Sequence, residues 1–206
     1  MYLTKTPWWL KKLYSSKLLW DMPSENNIYL TFDDGPHPTI TPFVLGLLKQ
    51  YAAKATFFCI GKNVKQYPHV YQQIIDDGHS VGNHTYNHLN GWNTNDAVYI
   101  KNVLYAKNII DSNLFRPPYG RISRRQVQDL KPTFKVVMWS VLSGDFDKSI
   151  DGEKCFNNVV KNAKGGSVIV FHDSDKAYPR LKIALPKVLQ SLAQQGYKMT
   201  SIDEDN

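Results

Sequence analysis

The chain alternates short apolar runs with amphipathic stretches about seven times, and this alternation limits its fold more than any other feature. The apolar runs, which predict strands, are 28–34, 55–60, 79–83, a short run ending at 115, 134–140, 167–171 and 197–202. The amphipathic stretches, which predict helices, are 42–51, 68–78, 95–111, a brief helix after 123, 151–163 and 181–195. Such alternation with short connections predicts an α/β fold with a parallel sheet, either open or closed as a barrel.

Polar residues cluster where the predicted strands end. They are Asp33, Asp34, His84, His88, Arg116, Tyr119, Asp145, His172 and Asp173. Because the carboxyl ends of parallel strands meet at one edge of a sheet or one mouth of a barrel, these residues are expected to form a single site.

Two adjacent aspartates, Asp33 and Asp34, end the first predicted strand just before the turn Gly35-Pro36. Successive side chains on a strand point to opposite faces, but a turn directly afterwards can re-aim them toward one site. We interpret the pair as a metal ligand and a general base.

His84 and His88 are four residues apart, so one helical turn or a tight loop would direct both toward the same ion. Such a pair is weak evidence alone, but an aspartate from another strand end would complete a ligand set. Two histidines and one carboxylate leave coordination positions open, which is typical of a catalytic site. A metal there would lower the pKa of a bound water and polarise a carbonyl group.

Three further residues suit roles around such a metal. His172 ends an apolar strand and could protonate a leaving group near neutral pH. Arg116, whose backbone is restricted by prolines, could keep a carboxylate ionised and oriented. The backbone N–H of Tyr119 could donate to a developing oxyanion.

The composition fits one domain, since 206 residues are enough for a full hydrophobic core. The net charge of +7 favours acidic partners, but the basic residues are scattered, which argues against a nucleic-acid groove. No apolar run approaches the ~18 residues that a membrane span needs. We expect a monomer.

Residues 1–26 form an aromatic and basic segment, with Trp8 and Trp9 followed by Lys11 and Lys12. Charges interrupt every apolar run, so the segment is unlike a secretory signal, and a cytoplasmic location is the default expectation. We expect the segment to pack on the side or bottom of the domain. An amphipathic helix lying on a membrane surface is the less favoured alternative.

Four motifs, in this order and with these gaps, make the chain resemble the polysaccharide deacetylases with the NodB homology domain, carbohydrate esterase family 4. The motifs are 31–36, 84–88, 116–120 and 170–172. The resemblance extends over about 27–202, so the catalytic domain is expected at 27–206. It implies an irregular (β/α) barrel, commonly of seven parallel strands, with outer helices.

The resemblance also implies a role for each matching residue. Asp33 would be the general base, oriented by Arg116, and His172 the general acid. The Tyr119 amide would contribute to the oxyanion hole. One divalent metal ion would be held by Asp34, His84 and His88. Zinc is the usual metal, with Co²⁺, Ni²⁺, Mn²⁺ and Fe²⁺ as alternatives.

One motif departs from the family pattern of an aspartate followed by a tryptophan. Here the best match is Asp145-Phe146, so Asp145 could tune His172 while Phe146 replaces the pocket tryptophan; Asp173 is the alternative partner of His172. Val170 replaces the usual leucine beside the acetyl methyl group. The predicted substrate pocket consists of Val170, Phe146, Pro118 and Trp139.

The leading hypothesis is a metal-dependent hydrolase that removes acetyl groups from N-acetylated sugars of a peptidoglycan- or chitin-like glycan. An O-acetyl glycan esterase would need the same groups. A sugar-binding module without turnover needs neither a base nor an acid, which disfavours it. A non-haem iron oxygenase shares the ligand types but requires no adjacent base.

Overall fold

The computed structural model describes residues 2–13 and 18–203, which form a parallel sheet with helices around it. The strands are β1 (Leu18–Leu19), β2 (Asn27–Asp33), β3 (Thr56–Cys59), β4 (Ser80–Asn83), β5 (Leu114–Phe115), β6 (Lys135–Val137), β7 (Val141–Leu142), β8 (Val168–His172) and β9 (Lys198–Met199). The helices are α1 (Trp8–Leu13), α2 (Ile40–Gln50), α3 (Gly61–Gln66), α4 (Pro68–Asp76), α5 (Asp96–Lys107), α6 (Arg124–Leu130), α7 (Gly152–Val160) and α8 (Tyr178–Gln194). Short 3₁₀ turns lie at Gly91–Asn93 and Pro118–Gly120.

The strand order is β1-β6-β5-β4-β3-β2-β8-β7, with β9 beside β2, and every neighbouring pair of these strands is parallel. The sheet curls into a half-barrel, which confirms the predicted irregular (β/α) barrel. All seven predicted strands are present. The structure adds β1 and β7 at the two ends of the order.

The central strands are apolar because both of their faces are covered. Every residue of β3 is buried, and six of the seven residues of β2 are buried. The main core joins them to α2, α7 and α8, which contribute side chains such as Leu48, Val159 and Leu185. A strand buried on both faces reads as a continuous apolar run, which is why these strands were visible in the sequence.

The predicted strand 134–140 is shorter in the structure, because after β6 the chain crosses from the β1 side of the sheet to the β8 side. β6 pairs with β1, and the Met138 N–H donates to the Leu19 carbonyl at 2.7 Å. Two residues later, the Ser140 N–H donates to the Val168 carbonyl of β8 at 3.0 Å. The segment therefore connects the two edges of the half-barrel.

Two local features differ from the sequence expectations. The short helix α3, which begins at Gly61 directly after the predicted strand 55–60, was not predicted. The helix predicted at 95–111 is α5, and Asn95 lies before it as its N-cap, with a side chain that accepts hydrogen bonds from the amides of Ala97 and Val98. An N-cap oxygen that satisfies free amides of the first turn fixes the start of a helix.

The N-terminal segment contacts the sheet edges through backbone hydrogen bonds. Leu18 and Leu19 pair with β6, the Thr6 N–H donates to the Ser140 carbonyl at 2.9 Å, and the Leu142 N–H donates to the Thr4 carbonyl at 2.9 Å. A division of the chain at residue 26 stays a prediction. Among the described residues, no helix combines the length and the apolar character needed to cross a bilayer.

Candidate active site

The carboxyl ends of β2, β4 and β8 bring the predicted residues to one cavity of about 500 Å³. The sheet register places Asp33 directly beside His172 on the neighbouring strand. Predicted residues that line the cavity are Asp33, Asp34, His84, His88, Tyr119, Trp139, Phe146, Val170 and His172. Arg116 and Asp145 lie buried behind it, each bonded to a lining residue.

Asp34, His84 and His88 form a cluster whose potential ligand atoms all lie within 4.8 Å of one another. Asp34 Oδ1 is 3.1 Å from His88 Nε2 and 3.8 Å from His84 Nε2. This oxygen is buried and accepts no hydrogen bond from any residue that the structure describes. A buried carboxylate oxygen without a donor, facing two ring nitrogens, fits a divalent cation.

The ring of His84 is held in the form that a metal ligand requires. Its Nδ1 lies 2.7 Å from the Arg116 carbonyl and donates to it, which leaves the Nε2 lone pair directed at Asp34. Burial lowers the pKa of His84 to about 4, so the ring is neutral at physiological pH. Burial alone would raise the pKa of Asp34, but the contact with His88 and the positive charge of His172 hold that pKa well below its usual range.

The site backbone is strained. Among the described residues, five non-glycine residues have positive φ, and four of them lie here: Asp34 (83°), Thr85 (64°), His88 (57°) and Tyr119 (60°). Each costs on the order of 1–3 kcal/mol and persists only because the surroundings enforce it. Hydrogen bonds supply that enforcement, for example from Asn63 Nδ2 to the Asp34 carbonyl at 2.7 Å. Of the two arrangements predicted for the histidine pair, a helical turn or a tight loop, the structure has the tight loop after β4.

Arg116 is completely buried and orients Asp33. Its Nη1 donates to Asp33 Oδ1 and to Thr31 Oγ1, both at 2.7 Å, while Nε and Nη2 donate to the carbonyls of Val137 and Met138. Burial lowers the pKa of the guanidinium, but the Asp33 charge opposes this shift. A buried arginine whose three nitrogens all donate hydrogen bonds gives Asp33 one fixed orientation.

His172 is paired with Asp145. Its Nδ1 donates to Asp145 Oδ1 at 2.7 Å, and its backbone N–H donates to Oδ2 at 2.7 Å. Burial would lower the pKa of His172, but the charge and hydrogen bond of Asp145 raise it to about 10. Asp173, the alternative partner, accepts instead from Thr41 Oγ1, and burial raises its pKa to about 8.

The predicted pocket residues separate into two groups. Val170, Phe146 and Trp139 line the cavity, and the Phe146 ring meets His172 edge-on at 5.4 Å. Pro118 is buried and is absent from the lining; it begins the turn that carries Tyr119. A Cβ at Gly120 in the same turn would lie 2.5 Å from the Trp139 ring, so the glycine permits this close packing.

Sequence reasoning missed several residues around the cavity. Tyr2, Asn90, Arg121, Leu142 and Lys176 also line it. Arg180 stands behind it and donates through Nε to the Asp145 carbonyl at 2.8 Å. Arg121 directly follows a recognised motif, which was an available signal, whereas Tyr2 had none because its contact with the cavity depends on how residues 2–6 cross the sheet edge.

Comparisons with known proteins identify one family. A family model described as polysaccharide deacetylase matches residues 21–133. A peptidoglycan-N-acetylglucosamine deacetylase from Bacillus cereus is 39% identical over 193 residues, covering 90% of this chain and 91% of that protein. A chitooligosaccharide deacetylase from Azorhizobium caulinodans is 35% identical, covering 73% of this chain and 75% of its own length. A crystal structure of a peptidoglycan N-acetylglucosamine deacetylase matches with a TM-score of 0.86 at 32% identity, covering 96% of this chain and 95% of that one.

The half-barrel and its relatives define the class as hydrolases that remove acetyl groups from carbohydrates. Deacetylases of this class depend on a metal ion, and Asp34, His84 and His88 form a potential site for one. The chain belongs to the polysaccharide deacetylase family, carbohydrate esterase family 4. It is accordingly a polysaccharide deacetylase acting on an acetylated glycan.

Proposed function

We propose that the protein removes the N-acetyl group from N-acetylglucosamine residues of peptidoglycan, with zinc as its metal. The relatives from Bacillus cereus carry this activity in their names and match most of the chain. One observation carries the proposal: the potential metal site, Asp33 and His172 all line the same cavity. A hydrolysed amide needs a polarised carbonyl, an activated water and a protonated leaving amine.

Asp34, His84 and His88 would hold the metal, which fits the buried, unbonded Asp34 oxygen and the neutral His84 ring. When bound, the ion would polarise the acetyl carbonyl and acidify water. Two imidazole nitrogens and one carboxylate suit zinc in a catalytic site with an open position.

Asp33 acts as the base in this proposal. Arg116 occupies Asp33 Oδ1 at 2.7 Å, which fixes the carboxylate and leaves its other oxygen to accept a proton from the attacking water. Asp33 is the last residue of β2 and directly precedes Asp34, so the proposed base lies next to the cluster of Asp34, His84 and His88.

His172 acts as the acid. The register beside Asp33 puts the ring at the same cavity, and Asp145 at Nδ1 leaves Nε2 as the proton donor. An amine leaves an acyl centre poorly unless it is protonated, so a separate acid is required. The Tyr119 backbone amide, held at positive φ between Pro118 and Gly120, is proposed to donate to the oxyanion.

Acetate release tests the proposal. We expect release from peptidoglycan fragments to exceed release from chitin oligomers and from O-acetylated xylan, to stop with EDTA and to return with zinc. Asp33→Asn should keep its metal and lose about 10²–10⁴-fold in rate, as expected for a lost general base. Preferential release from the O-acetylated glycan would replace the proposal with the esterase alternative, and glycan binding without release would overturn it.

A further inference from the structure

A second cavity of about 390 Å³ adjoins the catalytic cavity. Residues that line both cavities are Tyr2, Tyr119, Arg121, Trp139 and Leu142. A glycan whose acetylated sugar occupies the catalytic cavity can therefore continue directly into the second one.

One wall of this second cavity comes from the N-terminal segment, through Tyr2, Leu3, Thr6 and Leu10. This wall is tied to the sheet, because Thr6 Oγ1 donates to the Trp139 carbonyl at 2.8 Å and the Thr6 N–H donates to the Ser140 carbonyl at 2.9 Å. The segment that the family resemblance left unexplained thus has a defined position beside the active site.

The rest of the lining includes aromatic side chains and one positive charge. Trp92 is fixed by a hydrogen bond from its Nε1 to the Ile122 carbonyl at 3.1 Å, and the Arg121 guanidinium lies 5.3 Å from the Trp92 ring centroid. Exposed aromatic faces such as Trp92 (57%) and Tyr119 (62%) suit stacking on the apolar faces of sugar rings.

Arg121 gives the second cavity its charge preference. It is exposed, and no described carboxylate lies within ion-pair distance of it. Among the described residues that line this cavity, it is the one that is charged at neutral pH. An exposed guanidinium prefers a carboxylate, to which it can donate two parallel hydrogen bonds.

We propose that the second cavity is a subsite for the sugar next to the one that is deacetylated, and that Arg121 binds a carboxylate carried by that sugar. This inference rests on the proposed function. In peptidoglycan the neighbouring sugar is a muramic acid, which carries a lactyl carboxylate or a stem peptide with its own carboxylates. Chitin offers no carboxylate, so the subsite would favour peptidoglycan.

The test compares three tetrasaccharides: a chitin oligomer, a peptidoglycan fragment with free lactyl carboxylates, and the same fragment with the lactyl groups converted to amides. Arg121→Gln is compared with Arg125→Gln, a matched variant of an exposed arginine on α6 outside both cavities. We expect Arg121→Gln to reduce the preference for the free acid over its amide about tenfold, mainly through KM, as for one lost charge-assisted hydrogen bond. Arg125→Gln should keep the wild-type preference.

Two outcomes would overturn the inference while the proposed function stands. One is an unchanged preference in Arg121→Gln alongside normal acetate release. The other is an equal loss on the acid and the amide, which would assign Arg121 a role other than carboxylate binding. Absence of acetate release from all three glycans by the wild-type, zinc-loaded protein would instead overturn the proposed function.

Discussion

His84 and His172 face the same cavity from two sides, yet their surroundings give the two rings opposite protonation. In each ring Nδ1 lies 2.7 Å from an oxygen, which is the Arg116 carbonyl for His84 and the Asp145 carboxylate for His172. Burial lowers the pKa of His84 to about 4. Burial acts in the same direction on His172, but the Asp145 charge reverses it and raises the pKa to about 10.

The comparison teaches that the acceptor at Nδ1 decides what a buried histidine can offer. A neutral carbonyl fixes the tautomer and leaves a lone pair on Nε2, which suits a metal ligand. A carboxylate stabilises the cation and leaves a proton on Nε2, which suits a general acid.

Replacing His84 with alanine removes one of the three groups of the metal cluster. We expect bound zinc to fall well below stoichiometric and acetate release to fall by at least about 10³-fold, because a catalytic metal supplies several kcal/mol. Elemental analysis and the acetate assay measure the two effects. His69→Ala, on the exposed face of α4, is the matched control. Full zinc content in His84→Ala would contradict the ligand assignment.

Replacing His172 with alanine should leave the metal in place and lower kcat on an N-acetyl glycan by about 10²–10⁴-fold. The loss should be much smaller on 4-nitrophenyl acetate, because nitrophenolate leaves without being protonated. The test measures the rates of the variant and the wild type on both substrates, together with their zinc content. An equal loss on the two substrates would argue against His172 as the acid.

Asp145→Asn turns the His172 environment toward that of His84, since the carboxylate at Nδ1 becomes a neutral amide. The raised pKa of His172 keeps the ring protonated up to alkaline pH. If His172 is the acid, we expect activity to be lost as pH rises through that pKa. Without the charge we expect the alkaline limb of the kcat–pH profile to move at least about one unit lower. A cation bound at Asp34 would move the alkaline limb of both proteins to lower pH by the same amount, so the measured quantity is the difference in pH between the limb of the variant and that of the wild type. Coincident limbs would show that the Asp145 charge does not set the pKa of His172.

His79 extends the comparison to a histidine outside the site. Its Nδ1 accepts from the Ala55 N–H at 3.2 Å, and burial, with the Lys54 charge, lowers its pKa to about 4. In the unfolded chain His79 has a pKa of ~6.5, so it is protonated at a higher pH than in the folded protein. The free energy of unfolding should therefore fall as pH drops from about 6.5 to 4. His79→Asn keeps an acceptor for Ala55 and should show a shallower fall in urea titrations. Equal slopes for the two proteins would refute this.

The central strands and the main chemical groups were accessible from the sequence because both leave local patterns. β2, β3 and β8 are buried on both faces and read as apolar runs. Asp33, Asp34, His84, His88 and His172 were recognised from motifs, and the structure gathers them around one cavity. Their catalytic roles remain proposals.

The sequence left the partner of His172 open between Asp145 and Asp173. Adjacent residues on a strand point to opposite faces, so His172 faces the cavity while Asp173 meets Thr41 on the α2 side. Asp145 reaches the ring from the loop after β7, 27 residues earlier in the chain. No local pattern encodes such a contact, because it depends on which strands are neighbours.

By itself, the sequence determined the alternation of strands and helices and the kinds of chemical group at the strand ends. Both follow from local periodicity and turn chemistry. The tertiary structure decided which atoms meet: Asp33 beside His172 through the β2–β8 register, and Tyr2 and Arg121 around a second cavity. The physical reason is that sheet order and register arise from burial summed over the whole chain, whereas a hydrogen bond or an ion site depends on ångström-scale distances between residues far apart in sequence.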